Sequence, residues 1–304
     1  MIDFLRTQHV SEKLIADVIH FRDFYKLDEQ FLHRVPNPKY HYFGRDVWEM
    51  AIVAILQGDN ILLSGPKATG KNVLADNLAA LFHRPSWNVS FNVNTDSSAL
   101  IGTDTFVDGQ VRFRYGSIYE AALYGGFGIF DEINMAKNDA IAVLHSALDH
   151  RRVIDVPGYH RITLAEATRF IGTMNYGYAG TKELNEALVS RFMVIDIPPV
   201  TKEKLKMIFE SEFEHLKEDY MENFSRIFLD LQLKSQNSEI SSKTVDLRGL
   251  ISAMRAIERG LEPQLAMKMG VLDKTFDDFE KEIVSDVIHL HLPKSAKRED
   301  IFGK

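Results

Sequence analysis

Hydrophobic residues follow two different periods along the first two thirds of the chain. Short apolar runs alternate with segments in which apolar residues recur at helical spacing. Strands separated by helices favour a mostly parallel sheet that is covered on both faces. We therefore predict an α/β fold with a five-stranded parallel sheet, whose strands lie within residues 60–64, 87–93, 127–130, 168–174 and 192–197.

The helical spacing predicts helices before, between and after these strands. They are expected in residues 1–35, from Asp46 to Leu56 with a stop at Gly58, after residue 71, and around Ile141, Leu144 and Leu148. After Pro199 the pattern is almost wholly helical, with one polar break at residues 234–246. The predicted domains are an N-terminal helical extension (1–40), an α/β core (41–199) and a C-terminal helical domain (200–304).

Two segments interrupt the alternation of strands and helices. Residues 105–115 alternate around Asp108-Gly109, and residues 151–163 contain a turn signal at Pro157-Gly158. Asp-Gly between alternating residues is typical of a β-hairpin. We predict two hairpin insertions in the core.

Composition and charge narrow the classes of function. The chain has 304 residues, of which 45% are hydrophobic and 26% charged, with a net charge of −7 and a pI of about 5.9. This acidic balance does not favour a nucleic-acid partner. The lack of cysteine excludes disulfides, cysteine-ligated zinc and thiol catalysis. Because neither a signal peptide nor a membrane span is evident, we expect a cytoplasmic protein.

A phosphate-binding pattern follows the first apolar run. Gly65, Gly70 and Lys71 satisfy G-x-x-x-x-G-K between a predicted strand and a predicted helix. Such a loop points backbone N–H groups at phosphate, next to a helix N-terminus and a lysine cation. The alternative is a Gly-Pro turn with a solvated lysine. The expected nucleotide-binding residues are Gly65, Pro66, Lys67, Ala68, Thr69, Gly70, Lys71 and Asn72.

Polar residues at the ends of later strands fit the same chemistry. Asp131 could hold Mg²⁺ through water, and Glu132 could orient or deprotonate the attacking water. Asn175 could position that water, although asparagine is also common in turns. Arg191 and Arg248 carry the planar fork that suits phosphate. The alternatives are acids at a helix N-terminus and arginines that are only surface charges.

Taken in order, these segments resemble the motifs of an AAA+ ATPase of the MoxR group. "GPKATGKN", "GIFDEINMA", "FIGTMN", "LNEALVSRF" and Arg248 are similar to Walker A, Walker B, sensor 1, the arginine finger and sensor 2. The resemblance covers about residues 40–260 and is closest to the CbbQ/NorQ/GvpN branch. It implies a P-loop NTPase (AAA+) core with a C-terminal helical lid, and ATP and Mg²⁺ as cofactors.

The resemblance also implies an assembly and partners. Relatives form rings, usually hexamers, in which the residue at Arg191 would reach the neighbour's ATP while Arg248 closes over its own. They act as chaperone-like activators of metalloenzymes or other complexes, commonly with a partner that has a von Willebrand factor A domain. The hairpins are then candidates for client contact, through Arg112, Phe113, Arg114 and Tyr115. The same alternation also fits one packed and one solvated hairpin face.

The chain departs from the family pattern at three loop positions. Asn72 replaces the Ser or Thr whose hydroxyl binds Mg²⁺, Ala68 replaces the middle glycine, and Lys67 is an added cation. An amide oxygen is a hard ligand that can bind Mg²⁺, so Asn72 and Asp131 are the expected metal ligands of a slow ATPase. A nucleotide-gated scaffold without turnover is the main alternative. A nucleic-acid motor and a metal chelatase subunit are further alternatives, because such proteins contain the same ATPase motifs.

Overall fold

The structure is a computed structural model that describes residues 1–156, 158–176 and 184–303, without the side chains of residues 138 and 139. The alternating segments form the predicted sheet, in the order β2-β5-β8-β1-β9, and every strand pair in it is parallel. The prediction of a five-stranded parallel sheet is confirmed. The strands of the chain are β1 Ile61–Gly65, β2 Ser86–Ser90, β3 Gly102–Val107, β4 Gln110–Tyr115, β5 Phe127–Asp131, β6 Val153–Ile154, β7 Ile162–Thr163, β8 Arg169–Asn175 and β9 Met193–Asp196.

The chain divides into two units, one comprising residues 1–66 and 70–198 and the other residues 67–69 and 199–304. The helices of the first unit are α1 Ile2–Thr7, α2 Glu12–Phe24, α3 Arg45–Gln57, α4 Lys71–Leu81, α5 Ser97–Ile101, α6 Ser117–Leu123, α7 Asn138–Ala142, α8 His145–Leu148 and α9 Glu186–Val189. Those of the second unit are α10 Lys202–Glu212, α11 Glu218–Gln236, α12 Leu247–Glu258, α13 Pro263–Gly270, α14 Asp278–His291 and α15 Arg298–Ile301. Short 3₁₀-helices cover Glu29–Arg34, Ile133–Met135 and Leu272–Lys274.

The sheet is covered on both faces, as its near-continuous apolar strands predict. In β1, Ile61 and Leu63 belong to a core that contains Trp48 and Leu74 of the flanking helices. Leu62 points to the opposite face and belongs to a second core. Successive side chains of a strand alternate between faces, so a strand that is apolar throughout requires two apolar layers.

Three predicted elements differ from the observed ones. Residues 1–35 form α1, α2 and a 3₁₀ turn, and α1 and α2 pack into the first unit's core through residues such as Leu5 and Val18. The predicted helix around Leu144 is split into α7 and α8. The strand predicted for residues 87–93 ends at Ser90, because Asn92 bonds locally to Asn94 and Thr95 and turns the chain.

Both predicted hairpins are present. In the first, β3 pairs with β4 from Gly102 opposite Tyr115 to Val107 opposite Gln110. Its turn residues, Asp108 and Gly109, have φ of 52° and 77°, as a type I′ turn requires. In the second, β6 pairs with β7. Pro157, which was predicted to turn this hairpin, lies outside the described residues.

The second unit is helical, as the sequence after Pro199 predicts. Its own core is built from aromatic and aliphatic side chains of α10 to α15 and of the residues next to them, among them Phe209, Phe224, Met254 and Phe302. Within the described part of the chain, no helix is both long and apolar enough to cross a membrane.

Candidate functional site

The predicted phosphate loop joins the carboxyl end of β1 to the first turn of α4. A Cβ on Gly65 would lie 2.6 Å from the carbonyl oxygen of Ile197, so only glycine allows the chain after β9 to approach this closely. Gly70 has φ of 87° and is the residue before α4. This left-handed conformation favours glycine and turns the backbone directly into the helix. Both glycines of the motif therefore have a local structural cause.

Lys71 opens α4 and folds back over the loop. Its Nζ donates hydrogen bonds to the carbonyl oxygens of Gly65 at 3.0 Å and Pro66 at 2.6 Å. Burial lowers the pKa of Lys71 to about 8, while the charges of Asp131, Glu132 and Asp196 act in the opposite direction. The amine is therefore mostly protonated at neutral pH. It is a desolvated cation beside a helix N-terminus, an arrangement suited to phosphate.

Asn72 lies in the first turn of α4, where the family pattern has a hydroxyl. Its side chain is half-buried, and no described residue forms a hydrogen bond with it. Among the described residues, the amide oxygen therefore has no hydrogen-bond partner. This position fits a metal ligand, although an amide extends further from the backbone than a hydroxyl.

The two candidate acids are joined by a residue of the next strand. Asp131 ends β5, and Glu132 follows with φ of 52°. Thr173 of β8 donates from Oγ1 to Asp131 Oδ1 at 2.9 Å, and the same Oγ1 accepts from the backbone N–H of Glu132 at 3.2 Å. The acids are therefore held by a side chain that lies between β5 and β1.

Asn175 connects the acids to the phosphate loop. It is the last residue of β8 and pairs with Gly65 at the end of β1. Its Nδ2 donates to Glu132 Oε1 at 3.0 Å, and its backbone oxygen accepts from Asn134 Nδ2 at 3.1 Å. Asn175 therefore belongs to the strand rather than to the following turn, and it contacts Glu132 directly.

Arg191 lies between α9 and β9 and is engaged within its own chain. Its guanidinium donates to the carbonyl oxygens of His145, at 3.3 Å, and Ala187, and lies 3.7 Å from Asp149 Oδ2. Asp149 also bonds to Arg151, which lowers the pKa of this carboxyl to about 2. None of these partners belongs to the phosphate loop or to the acid pair.

Arg248 is exposed in the first turn of α12 in the second unit. Within that unit its position at the start of a helix agrees with the sequence pattern. Its proposed action on nucleotide stays a prediction.

Comparisons with known proteins assign the family. Residues 60–192 match the model of the AAA domain, dynein-related subfamily. The uncharacterized protein YojN of Bacillus subtilis is 34% identical over 242 residues, which cover 78% of this chain and 79% of YojN. The chain belongs to the YojN family and carries an AAA domain.

Two further matches describe its relatives. The uncharacterized protein SH1500 of Staphylococcus haemolyticus is 30% identical over 238 residues, which cover 76% of this chain and 90% of that protein. A crystal structure of a protein from Cytophaga hutchinsonii ATCC 33406 superposes with a TM-score of 0.44 at 16% identity, over 90% of this chain and 87% of that one.

Ala68, at the tip of the AAA domain's loop, has a backbone conformation that favours glycine. Its φ is 60°, in the left-handed region, where a Cβ costs about 1–2 kcal/mol. Glycine would remove this cost but adds about 0.4–1 kcal/mol of conformational entropy to the unfolded chain. The strain is the larger of the two, which gives a physical reason for the glycine that the family pattern has here.

We expect Ala68→Gly to raise the free energy of unfolding by up to about 1 kcal/mol, measured by urea denaturation. The matched control is Ala80→Gly within α4, where glycine should lower the free energy of unfolding by about 0.5–1 kcal/mol. A loss of stability at both positions would contradict the strain at Ala68.

Three polar residues of the site were missed from the sequence. Thr173 and Asn134 are 1% and 3% exposed, so each is a buried polar side chain with hydrogen bonds inside the site. Asn77 of α4 donates to Tyr40 O at 2.8 Å and accepts from Tyr42 N at 3.0 Å. The available signal was a polar residue inside an apolar strand or helix face, since such residues are buried only when they are hydrogen-bonded.

Asn77 thereby holds the segment around Tyr40 and Tyr42, which leads into α3. The Tyr42 ring lies 3.3 Å from the position of a Cβ on Gly70, and burial raises the pKa of Tyr42 to about 12. Trp48 Nε1 donates to Tyr42 O at 2.8 Å. Helices α3 and α4 together therefore fix Tyr42 against the phosphate loop.

Proposed function

We propose that this protein binds and hydrolyses ATP as a MoxR-type AAA+ ATPase and uses the hydrolysis to remodel a protein client. The observation that carries the proposal is the pairing of Gly65 with Asn175, which places the acid-binding amide beside the phosphate loop. Lys71, buried at the start of α4, provides the cation at the same end of the sheet. Candidate residues for binding phosphate, binding a metal ion and activating water thus lie together at the carboxyl ends of the parallel strands.

Each candidate residue has a separate role in the proposed phosphoryl transfer. Backbone N–H groups of the loop and the Lys71 ammonium hold the phosphates. Asp131 and Asn72 offer the hard oxygen ligands that Mg²⁺ prefers, and the bound ion would offset negative charge on the phosphates. The fit rests on the Asn72 amide, which has no hydrogen-bond partner in the described part of the chain, and on the Asp131 carboxylate, which Thr173 holds in place. No described cluster of three or more His, Cys, Asp or Glu offers a cage for a metal.

Glu132 is the candidate general base. Asn175 Nδ2 donates a hydrogen bond to Glu132 Oε1 at 3.0 Å, and no described residue forms a hydrogen bond with Oε2. One carboxylate oxygen therefore fixes the orientation of the group while the other can accept a proton from water. This arrangement changes the proposed role of Asn175, which acts on Glu132 and through it on the water.

We further propose that the active form is a ring, in which Arg191 completes the site of the neighbouring subunit. Arginine fingers supplied in trans increase rates by about a thousandfold or more. In the isolated chain Arg191 is held by Asp149 and by carbonyl oxygens at the ends of short helices. Assembly would have to exchange these contacts for a phosphate, which makes the rate depend on the neighbour.

The proposal is tested by measuring ATP turnover per subunit against protein concentration, together with the mass in solution with ATP and Mg²⁺. Turnover should rise as the ring, expected to be a hexamer, forms. Arg191→Ala should lower turnover about a thousandfold, and mixing it with Lys71→Ala subunits should restore part of it. Subunits with both substitutions are the matched control and should restore none. Equal turnover per subunit at concentrations where the mass in solution differs, or equal rescue by both mixtures, would exclude action in trans.

The first hairpin is the candidate surface for the client or for a von Willebrand factor A domain partner. Phe113 packs against Tyr119 and Tyr159, with ring centroids 5.6 and 4.7 Å apart, so it belongs to the packed base of the hairpin. Towards the tip, Phe106 and Val111 pair across the strands and are 76% and 63% exposed. Of the residues predicted to project, Arg112, Arg114 and Tyr115 are exposed and Phe113 is not.

A second candidate function is a scaffold that binds ATP and assembles without turnover. Asn72 favours it, because an amide replaces the hydroxyl expected to bind Mg²⁺. The measurement of turnover and mass against protein concentration distinguishes the two functions. A scaffold would form the ring with ATP but release no phosphate at any protein concentration.

A further inference from the structure

Thr173 lies in the candidate site, inside the segment FIGTMN, in which only Asn175 was assigned a role from the sequence. It is 1% exposed in β8, the strand between β5 and β1, and pairs with Leu63 of β1. The neighbouring pairs of β8 with β5 end at Phe130 and Gly172. Position 173 therefore lies one residue beyond the last β5–β8 pair, beside Asp131, the final residue of β5, and Glu132, which follows it.

The Thr173 hydroxyl makes two hydrogen bonds, to consecutive residues. It donates its single hydrogen to Asp131 Oδ1 at 2.9 Å and accepts from Glu132 N at 3.2 Å. A hydroxyl has one donor and two acceptor positions, so both bonds can form at once. The bond to Asp131 becomes charge-assisted when that carboxylate is ionised, and such bonds are stronger than those between neutral groups.

The bond from Glu132 N supports a backbone conformation that is unfavourable by itself. Glu132 has φ of 52°, in the left-handed region that disfavours residues with a Cβ. Such a conformation persists where surrounding contacts impose it. With this backbone the Glu132 side chain reaches Asn175 Nδ2. A single hydroxyl thus orients one acid through its carboxylate and the next through its main chain.

We infer that Thr173 is a positioning residue that couples the metal-binding acid, Asp131, to the water-activating acid, Glu132. The inference rests on the proposed ATPase function. A threonine that only filled space in the strand would be equally well replaced by valine, which has nearly the same shape and also favours strands. The hydroxyl is therefore the feature to remove, and the β-branched shape is the feature to keep.

The test compares Thr173→Val with Thr173→Ser. Thr173→Val should lower kcat by about tenfold to a hundredfold, the range expected for losing a hydrogen bond to a charged group. The Mg²⁺ concentration at half-maximal turnover should rise, because Asp131 loses its orientation. Nucleotide affinity without Mg²⁺ should stay within about threefold, since the backbone amides of the loop and Lys71 are untouched. Thr173→Ser keeps the hydroxyl and should recover both kcat and the Mg²⁺ response to within about threefold.

A second measurement does not require turnover. The gain in affinity for a non-hydrolysable ATP analogue on adding Mg²⁺ should be smaller in Thr173→Val than in wild type and Thr173→Ser, with thermal unfolding recorded for all three. An unchanged gain and unchanged kcat in the valine variant would overturn the inference, as would a serine variant as impaired as valine. Failure of the proposed function looks different, because wild type itself would then show neither turnover nor an effect of Mg²⁺.

Discussion

Replacing Lys71 with alanine is expected to abolish measurable ATP binding, because the Kd for ATP should rise by about a hundredfold or more. Lys71 is the first residue of α4, and its ammonium is buried against the carbonyl oxygens of Gly65 and Pro66. Hydrogen bonds to charged groups contribute about 1.5–3 kcal/mol each, and each 1.4 kcal/mol is tenfold in Kd. An ammonium that bonds to phosphate oxygens in place of the loop carbonyls would supply this much.

Affinity would be measured by titration with a fluorescent ATP analogue in the presence of Mg²⁺. Lys71→Met separates charge from packing, because it keeps an unbranched side chain of similar length in the buried site. We expect it to fail as Lys71→Ala does while unfolding at nearly the wild-type temperature. Lys13→Ala, at an exposed position of α2, controls for the loss of a positive charge elsewhere. Wild-type affinity in both Lys71 variants would refute the phosphate-loop assignment.

Replacing Glu132 with glutamine is expected to leave ATP binding intact and to lower turnover by about a hundredfold to ten-thousandfold, the usual contribution of general acid–base catalysis. Glutamine keeps an oxygen that can accept from Asn175 Nδ2, so the side chain should keep its orientation. It loses the carboxylate that takes a proton from water. Because ATP is bound but not consumed, the ring that we propose should also persist longer after ATP is added.

Single-turnover release of phosphate and the lifetime of the assembled form are the measurements. Glu186→Gln, at the start of α9, is the control for removing a carboxylate outside the site. Turnover at the wild-type rate in Glu132→Gln would remove this residue from the mechanism. Loss of ATP binding together with turnover would instead show that Glu132 shapes the pocket.

Most of the fold followed from local patterns. The apolar runs and the helical spacing between them were sufficient for the parallel sheet, because strands buried on both faces and amphipathic helices leave different periods in a sequence. Asp108-Gly109 predicted the first hairpin through the φ values that its turn requires. Element ends were less well predicted, as at Ser90, where bonds between neighbouring side chains and backbone end β2.

The residues of the candidate site were predicted from the sequence, but the hydrogen bonds that join them were not. Gly65, Lys71, Asp131, Glu132 and Asn175 were selected by residue type and by their place at strand ends. Their contacts depend on strand order, since β8 has to lie between β5 and β1 for a residue of β8 to reach both acids. Sequence spacing does not encode that order.

The sequence by itself determined the α/β class, the phosphate-loop motif and the identities of the acids, because periodicity and residue chemistry are local properties. Tertiary structure decided that Thr173 bridges the two acids, that Asn175 binds Glu132 and that Arg191 is held by its own chain. These contacts join residues that are distant in sequence. The packing of the parallel strands determines which of these residues come within hydrogen-bond reach at the carboxyl ends of the strands and which lie apart.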